Sequence, residues 1–157
     1  MQPRLNLMQV SPDAMRAMRG IQDYVDRSGL EHSLLELVKM RASQLNGCAY
    51  CLDMHSKDAR AAGETEQRLY LLDAWREAPF YSPRERAALA WAEALTLVAQ
   101  THAPDDVYEE ARAQFSEKEL AALTMAIVAI NGWNRIAIGF RSQPGAYQPA
   151  KAKAAVS

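Results

Sequence analysis

Two short segments, Ser82-Pro83-Arg84-Glu85 and Ser116-Glu117-Lys118-Glu119, constrain this chain more than any other feature. Each sets a serine three residues ahead of a glutamate. The serine oxygen can then accept from a first-turn N–H while the carboxylate reaches back to the serine's own N–H. Such pairs start helices. Ser11-Pro12-Asp13 is a third start, with proline at the first helical position, and Thr65 is a fourth. Gly29, Asn46-Gly47 and Gly63 supply stops, and no run alternates with period two. The expected fold class is therefore all-α: a single-domain bundle of about six to seven helices over residues 1–141, followed by a flexible tail over 142–157. That tail carries Pro144, Gly145, Pro149 and a Lys/Ala-rich end.

The helices expected run from Ser11 to Gly29, Ser33 to Asn46, Cys48 to Gly63, Thr65 to before Pro79, Ser82 to about Gln100, Pro104 onward, and Ser116 to Gly139. The last holds the longest apolar stretch, Leu120–Ile130, which is half the ~20 residues a bilayer requires and reads as a buried helix segment. Apolar residues continue nearly all round it through Trp133, Ile136 and Ile138, so it belongs in a core or partly at a subunit interface. Eighteen basic against nineteen acidic residues leave no positive excess for a phosphate backbone, so neither a nucleic-acid nor a membrane partner is expected. The opening residues lack the apolar block of a secretory signal, which points to the cytoplasm.

In that compartment the only two cysteines, Cys48 and Cys51, suit catalysis, redox cycling or metal binding better than a structural disulfide. At ~100° per residue, Cys48, Cys51 and His55 share one helical face, while Tyr50, Asp53 and Lys57 fall on the other side. Cys48 opens the helix, where free N–H groups favour a thiolate. Lowering a thiol pKa from ~8.5 to ~6.5 raises the thiolate fraction at pH 7 from roughly 3% to roughly 75%. Reduced nucleophilicity takes back a factor of about 8. The remaining gain of about threefold is small beside the ~10²–10⁴ from a positioned acid, so His55 matters chiefly as a proton carrier. A structural zinc site is the alternative, with Cys48, Cys51 and His55 as ligands and Asp58 as a possible fourth. Helix periodicity sets Glu36 opposite the apolar face of Leu34, Leu35, Val38, Ala42 and Leu45, as a solvated carboxylate beside Lys39.

Glu36, eleven residues, Cys48-Ala49-Tyr50-Cys51, three residues and His55 together resemble the core of the alkylhydroperoxidase D family, in a motif spanning residues 36–64. Leu37–Gly47, Ala59-Arg60-Ala61-Ala62-Gly63-Glu64, Ser82–Trp91 and Asn131-Gly132-Trp133-Asn134-Arg135 extend the likeness. The resemblance implies a helical fold assembled into trimers or hexamers and a hydroperoxide substrate. It also implies a thiol reductant of thioredoxin-like or lipoyl type, with no metal or cofactor. It assigns attack to Cys51, resolution to Cys48 and proton relay to Glu36 and His55, whereas the helix-start position favours Cys48 as the lower-pKa thiol. Where the better-known members carry a second histidine, this chain has Tyr50. The wider family includes carboxymuconolactone decarboxylases, so lactone processing is one alternative function. A redox adaptor that passes disulfides to a partner without consuming peroxide is another.

Overall fold

The computed structural model describes residues 2–149. Nine α-helices and one 3-10 turn, with no strand among the described residues, run in the order α1 (Leu7–Val10), α2 (Pro12–Asp26), α3 (His32–Asn46), α4 (Ala49–Ala61), α5 (Glu66–Tyr70), the 3-10 turn (Leu72–Ala74), α6 (Pro83–Thr96), α7 (Val98–Thr101), α8 (Asp105–Gln114) and α9 (Glu117–Phe140). Both capping boxes form as expected, at Ser82/Glu85 and Ser116/Glu119. The count exceeds seven because short pieces were not legible. Asn6 caps α1 ahead of Pro12. Thr101 Oγ1 bonds the Ala94 carbonyl at 2.6 Å, a side-chain partner that helps close α6 early and sets α7 apart.

The central element is α3, which packs against α4, α6, α9 and the 3-10 turn. Every residue from Leu34 to Ser43 is buried. One core layer joins Leu34, Leu35 and Val38 to Trp91 on α6 and to Leu123 and Ile127 on α9. A second joins Leu37 and Met40 to Ala59, Leu72, Trp75 and Leu89. Arg41 also sits inside: its Nε donates to Glu93 Oε1 at 2.7 Å, and Trp75 Nε1 donates to the same oxygen at 2.8 Å. The buried charge is thereby paired and tied to α6.

By length and composition α9 could cross a membrane, but here it packs on α2, α3 and α6. It is not covered on every side in the single chain, since Val128 and Ile138 stand about half exposed.

The α3–α4 corner positions the site. Gly47 adopts φ +68°, a left-handed conformation in which a Cβ costs ~1–2 kcal/mol. Its N–H bonds the Gln44 carbonyl at 3.1 Å and the next N–H, of Cys48, bonds Ser43 at 3.0 Å, so α3 stops and α4 begins within two residues. A Cβ at Gly47 would meet open space, so Gly47→Ala exposes the backbone cost alone. It is expected to lower the stability by about 1–2 kcal/mol in urea unfolding.

The described part of the expected flexible tail is tied down. Gly145 N donates to Asp53 Oδ2 at 2.9 Å, Lys57 Nζ donates to the Tyr147 carbonyl at 3.1 Å, and Tyr147 donates to Asp58 Oδ1 at 2.7 Å. Residues 150–157 lie outside the described residues.

Candidate active site

Cys48 is the N-cap of α4 and Cys51 lies one turn further in, at 1% and 2% exposure. Ala42 of α3 and Ile130 and Ala137 of α9 enclose the pair. The two sulfurs are free and 2.8 Å apart. The Cys51 thiol hydrogen-bonds the Cys48 sulfur and, against the cost of burial, brings Cys48 down to about 7, with the first-turn N–H groups of Cys51 and Tyr50 adding to the effect. The same hydrogen bond, together with burial, pushes Cys51 up. Cys48 is thus the more acidic thiol of the pair, as its helix-start position suggested.

Access runs the other way. A cavity of about 690 Å³ is lined by Cys51, Tyr50, His55, Glu36 and Asp58, with Trp133 and Ile136 from α9 and Met15 from α2; Cys48 is not on its wall. The low-pKa sulfur lies behind, and Cys51 is the member of the pair that lines the cavity. Tyr50, which helical angles set on the far side of α4, also reaches this wall.

His55 is one turn beyond Cys51 and also buried. Its Nδ1 is 2.9 Å from Glu36 Oε2, and Lys39 Nζ donates to Glu36 Oε1 at 2.9 Å. Burial alone would raise Glu36, but the hydrogen bonds from His55 and the Lys39 ammonium outweigh it and hold the carboxyl at about 2. A permanent carboxylate accepts only, so Nδ1 carries a proton and Nε2 is the ring nitrogen left facing away from Glu36. Glu36 is thus 3% exposed and paired, not the solvated side chain that periodicity indicated. The physical reason is that α3 is enclosed from Leu34 to Ser43, and His55 of α4 lies on the side where Glu36 points.

Zinc held by both sulfurs and His55 is not what the geometry gathers. Among the described residues, the three metal-ligating side chains with donor atoms within 4.8 Å of one another are Glu36, His55 and Asp58. Lys39 and Tyr147 already occupy lone pairs of the two carboxylates. The cluster is closed by hydrogen bonds within the chain and is not an oxygen-rich cage for a cation.

Lys39 and Tyr147 were missed as site residues. An i,i+3 Glu–Lys pair gives no sign of being buried, and Tyr147 arrives from the chain end. His32, expected at the surface, does lie there, yet its Nε2 stands 3.7 Å from Glu36 Oε1.

The sequence profile of the carboxymuconolactone decarboxylase family matches residues 12–94. The uncharacterized protein YdfG of Bacillus subtilis is 44% identical over 138 residues, covering 88% of this chain and 94% of that one. The crystal structure of ATU0492 from Agrobacterium tumefaciens superposes with TM-score 0.90 at 49% identity, over 93% of this chain and all of that one. It is described as a protein of unknown function and a candidate antioxidant defence protein AhpD. The debrominase Bmp8 superposes with TM-score 0.79 at 25% identity, over 88% of this chain and 75% of that one.

Proposed function

The chain belongs to the carboxymuconolactone decarboxylase family, and we propose that within it the protein is a thiol peroxidase that reduces hydroperoxides through a Cys48–Cys51 disulfide. One observation carries this reading: two free sulfurs 2.8 Å apart, the outer one on a cavity wall beside an imidazole whose tautomer a buried carboxylate holds.

The chemistry balances with these groups alone. Cys51 yields its proton to His55 Nε2, and the resulting thiolate attacks the distal oxygen of ROOH. A sulfur–oxygen bond forms, the O–O bond breaks, and His55 returns the proton to the departing alkoxide, giving ROH and Cys51 sulfenic acid. Cys48 then attacks the Cys51 sulfur and expels hydroxide, which leaves as water on taking up the proton that the Cys48 thiol releases. Two thiols are oxidised to a disulfide, and the peroxide is reduced. Closing 2.8 Å to a ~2.05 Å bond asks for a shift of only about 0.8 Å. A dithiol of thioredoxin-like or lipoyl type restores the pair in the cytoplasm. The exposed Val128 and Ile138 on α9 support assembly into a trimer or hexamer, to be checked by sedimentation.

The test is rapid mixing of reduced protein with hydrogen peroxide and with an organic hydroperoxide, followed by mass analysis of the peptide holding residues 48–51. Loss of two hydrogens at a rate proportional to peroxide is expected. Absence of both sulfenic acid and disulfide overturns the proposal. So does turnover of a carboxylated lactone by a Cys48→Ser/Cys51→Ser double variant, which places the protein with the decarboxylases.

A further inference from the structure

A chain of side-chain amides crosses from α9 to α3 beside the cysteine pair, and groups that cannot invert set its direction. Asn131 Nδ2 donates to the Ile127 carbonyl at 3.0 Å, and a carbonyl only accepts. The Arg135 guanidinium, which only donates, bonds Asn131 Oδ1 at 3.0 Å. The oxygen of Asn131 therefore faces Asn46, whose Nδ2 donates to it at 2.9 Å and to Asn134 Oδ1 at 2.8 Å. With its oxygen so engaged, Asn134 turns its NH₂ group the other way. One hydrogen goes to Ser43 Oγ at 3.0 Å.

Asn134 is fully buried, so its remaining amide hydrogen has no water to donate to. It lies on α9 between Ile130 and Ala137, four residues after one and three before the other, and both pack against Cys48 and Cys51. We propose that Asn134 is a thiolate-binding residue: it donates its second amide hydrogen to the sulfur pair and holds the negative charge there before peroxide arrives. In keeping with this placement, an Asn134 hydrogen bond lowers the proton affinity of both sulfurs. A neutral donor in a dry site stabilises a thiolate without adding a counter-charge that would damp its attack.

The ionisable groups on the cavity side of the pair are Tyr50, His55 and Asp58 from α4, His32, Glu36 and Lys39 from α3, and Arg19, Asp23 and Asp26 from α2. Against the pair α9 packs the apolar Ile130 and Ala137, with the uncharged Asn134 between them in sequence.

The inference rests on the redox role proposed for the pair, yet its test uses no peroxide. Thiolate absorbance near 240 nm is titrated in reduced wild type, Asn134→Leu and Asn46→Asp, alongside alkylation by iodoacetamide at pH 6.5. Asn134→Leu keeps the side-chain shape and removes the donor. Asn46→Asp can only accept, so it turns the Asn134 amide round and points its oxygen at the sulfurs. Both variants are expected to raise the thiol midpoint by about one unit and slow alkylation about tenfold. The wild type provides a reading that depends on no variant folding: the side-chain amide proton signals of Asn134 should move as the pair titrates. Unmoved Asn134 signals, or an unchanged midpoint in a folded variant, overturn the assignment. A protein that titrates as described but consumes no peroxide refutes the peroxidase and leaves the thiolate-binding amide standing.

Discussion

Replacing Glu36 with glutamine is expected to slow peroxide-driven oxidation of the cysteine pair by ~10²–10⁴, the range associated with losing a positioned acid–base group. The carboxylate accepts from two donors at once, His55 Nδ1 and Lys39 Nζ. Glutamine offers one oxygen and one NH₂. If the oxygen stays with Lys39, the NH₂ faces His55, which must then accept at Nδ1 and carry its proton on Nε2. The nitrogen facing away from Glu36 thereby changes from base to donor, and Cys51 loses its proton acceptor. Stopped-flow oxidation reads the rate, and nitrogen chemical shifts of the imidazole read the tautomer. Wild-type rates with an inverted tautomer would remove His55 from the mechanism.

The same residue makes stability depend on pH. Glu36 has an ordinary value of 4.5 and titrates at about 2 in the fold. Its folded value is depressed, so the contribution is fully present above pH ~4.5 and is lost as pH falls towards about 2. The gap corresponds to ~3 kcal/mol at neutral pH. In urea unfolding between pH 6 and pH 3, Glu36→Gln should lie below wild type throughout, with the gap reduced by more than half at the lower end.

Exchanging Cys51 for serine is expected to abolish peroxide consumption, whereas Cys48→Ser should consume a single equivalent and stop at a sulfenic acid that dimedone captures. The distinction rests on location: Cys51 lines the cavity and Cys48 lies behind it. The lower pKa belongs to the other sulfur, since Cys48 is the one brought down to about 7. Attack by Cys51 thus requires its proton to move first, and oxidation in Cys48→Ser should respond steeply to loss of His55. The opposite pattern, a dead Cys48→Ser and an active Cys51→Ser, would make Cys48 the attacking sulfur and its low pKa the decisive property.

What could be read from residue order alone was local. The serine–glutamate boxes at Ser82 and Ser116 start helices because their partners are three residues apart. Cys48, Cys51 and His55 fall on one face because a helix turns by a fixed angle. The sequence motif that marked Glu36 came from likeness, and periodicity by itself pointed the wrong way, since reasoning from one apolar stripe assumes the opposite stripe is wet. That assumption fails for α3, which is enclosed from Leu34 to Ser43.

Tertiary packing alone decided the rest. It brought Asn46 onto Asn131 and Asn134, 85 and 88 residues away, and so set which way the Asn134 amide faces. It laid Gly145 and Tyr147 against α4, and it put Cys51 rather than Cys48 on the cavity wall. Short-range order specifies which groups travel together along a helix. Which of them meet water, a proton or a peroxide depends on what the other helices cover, and that is a property of the packed molecule.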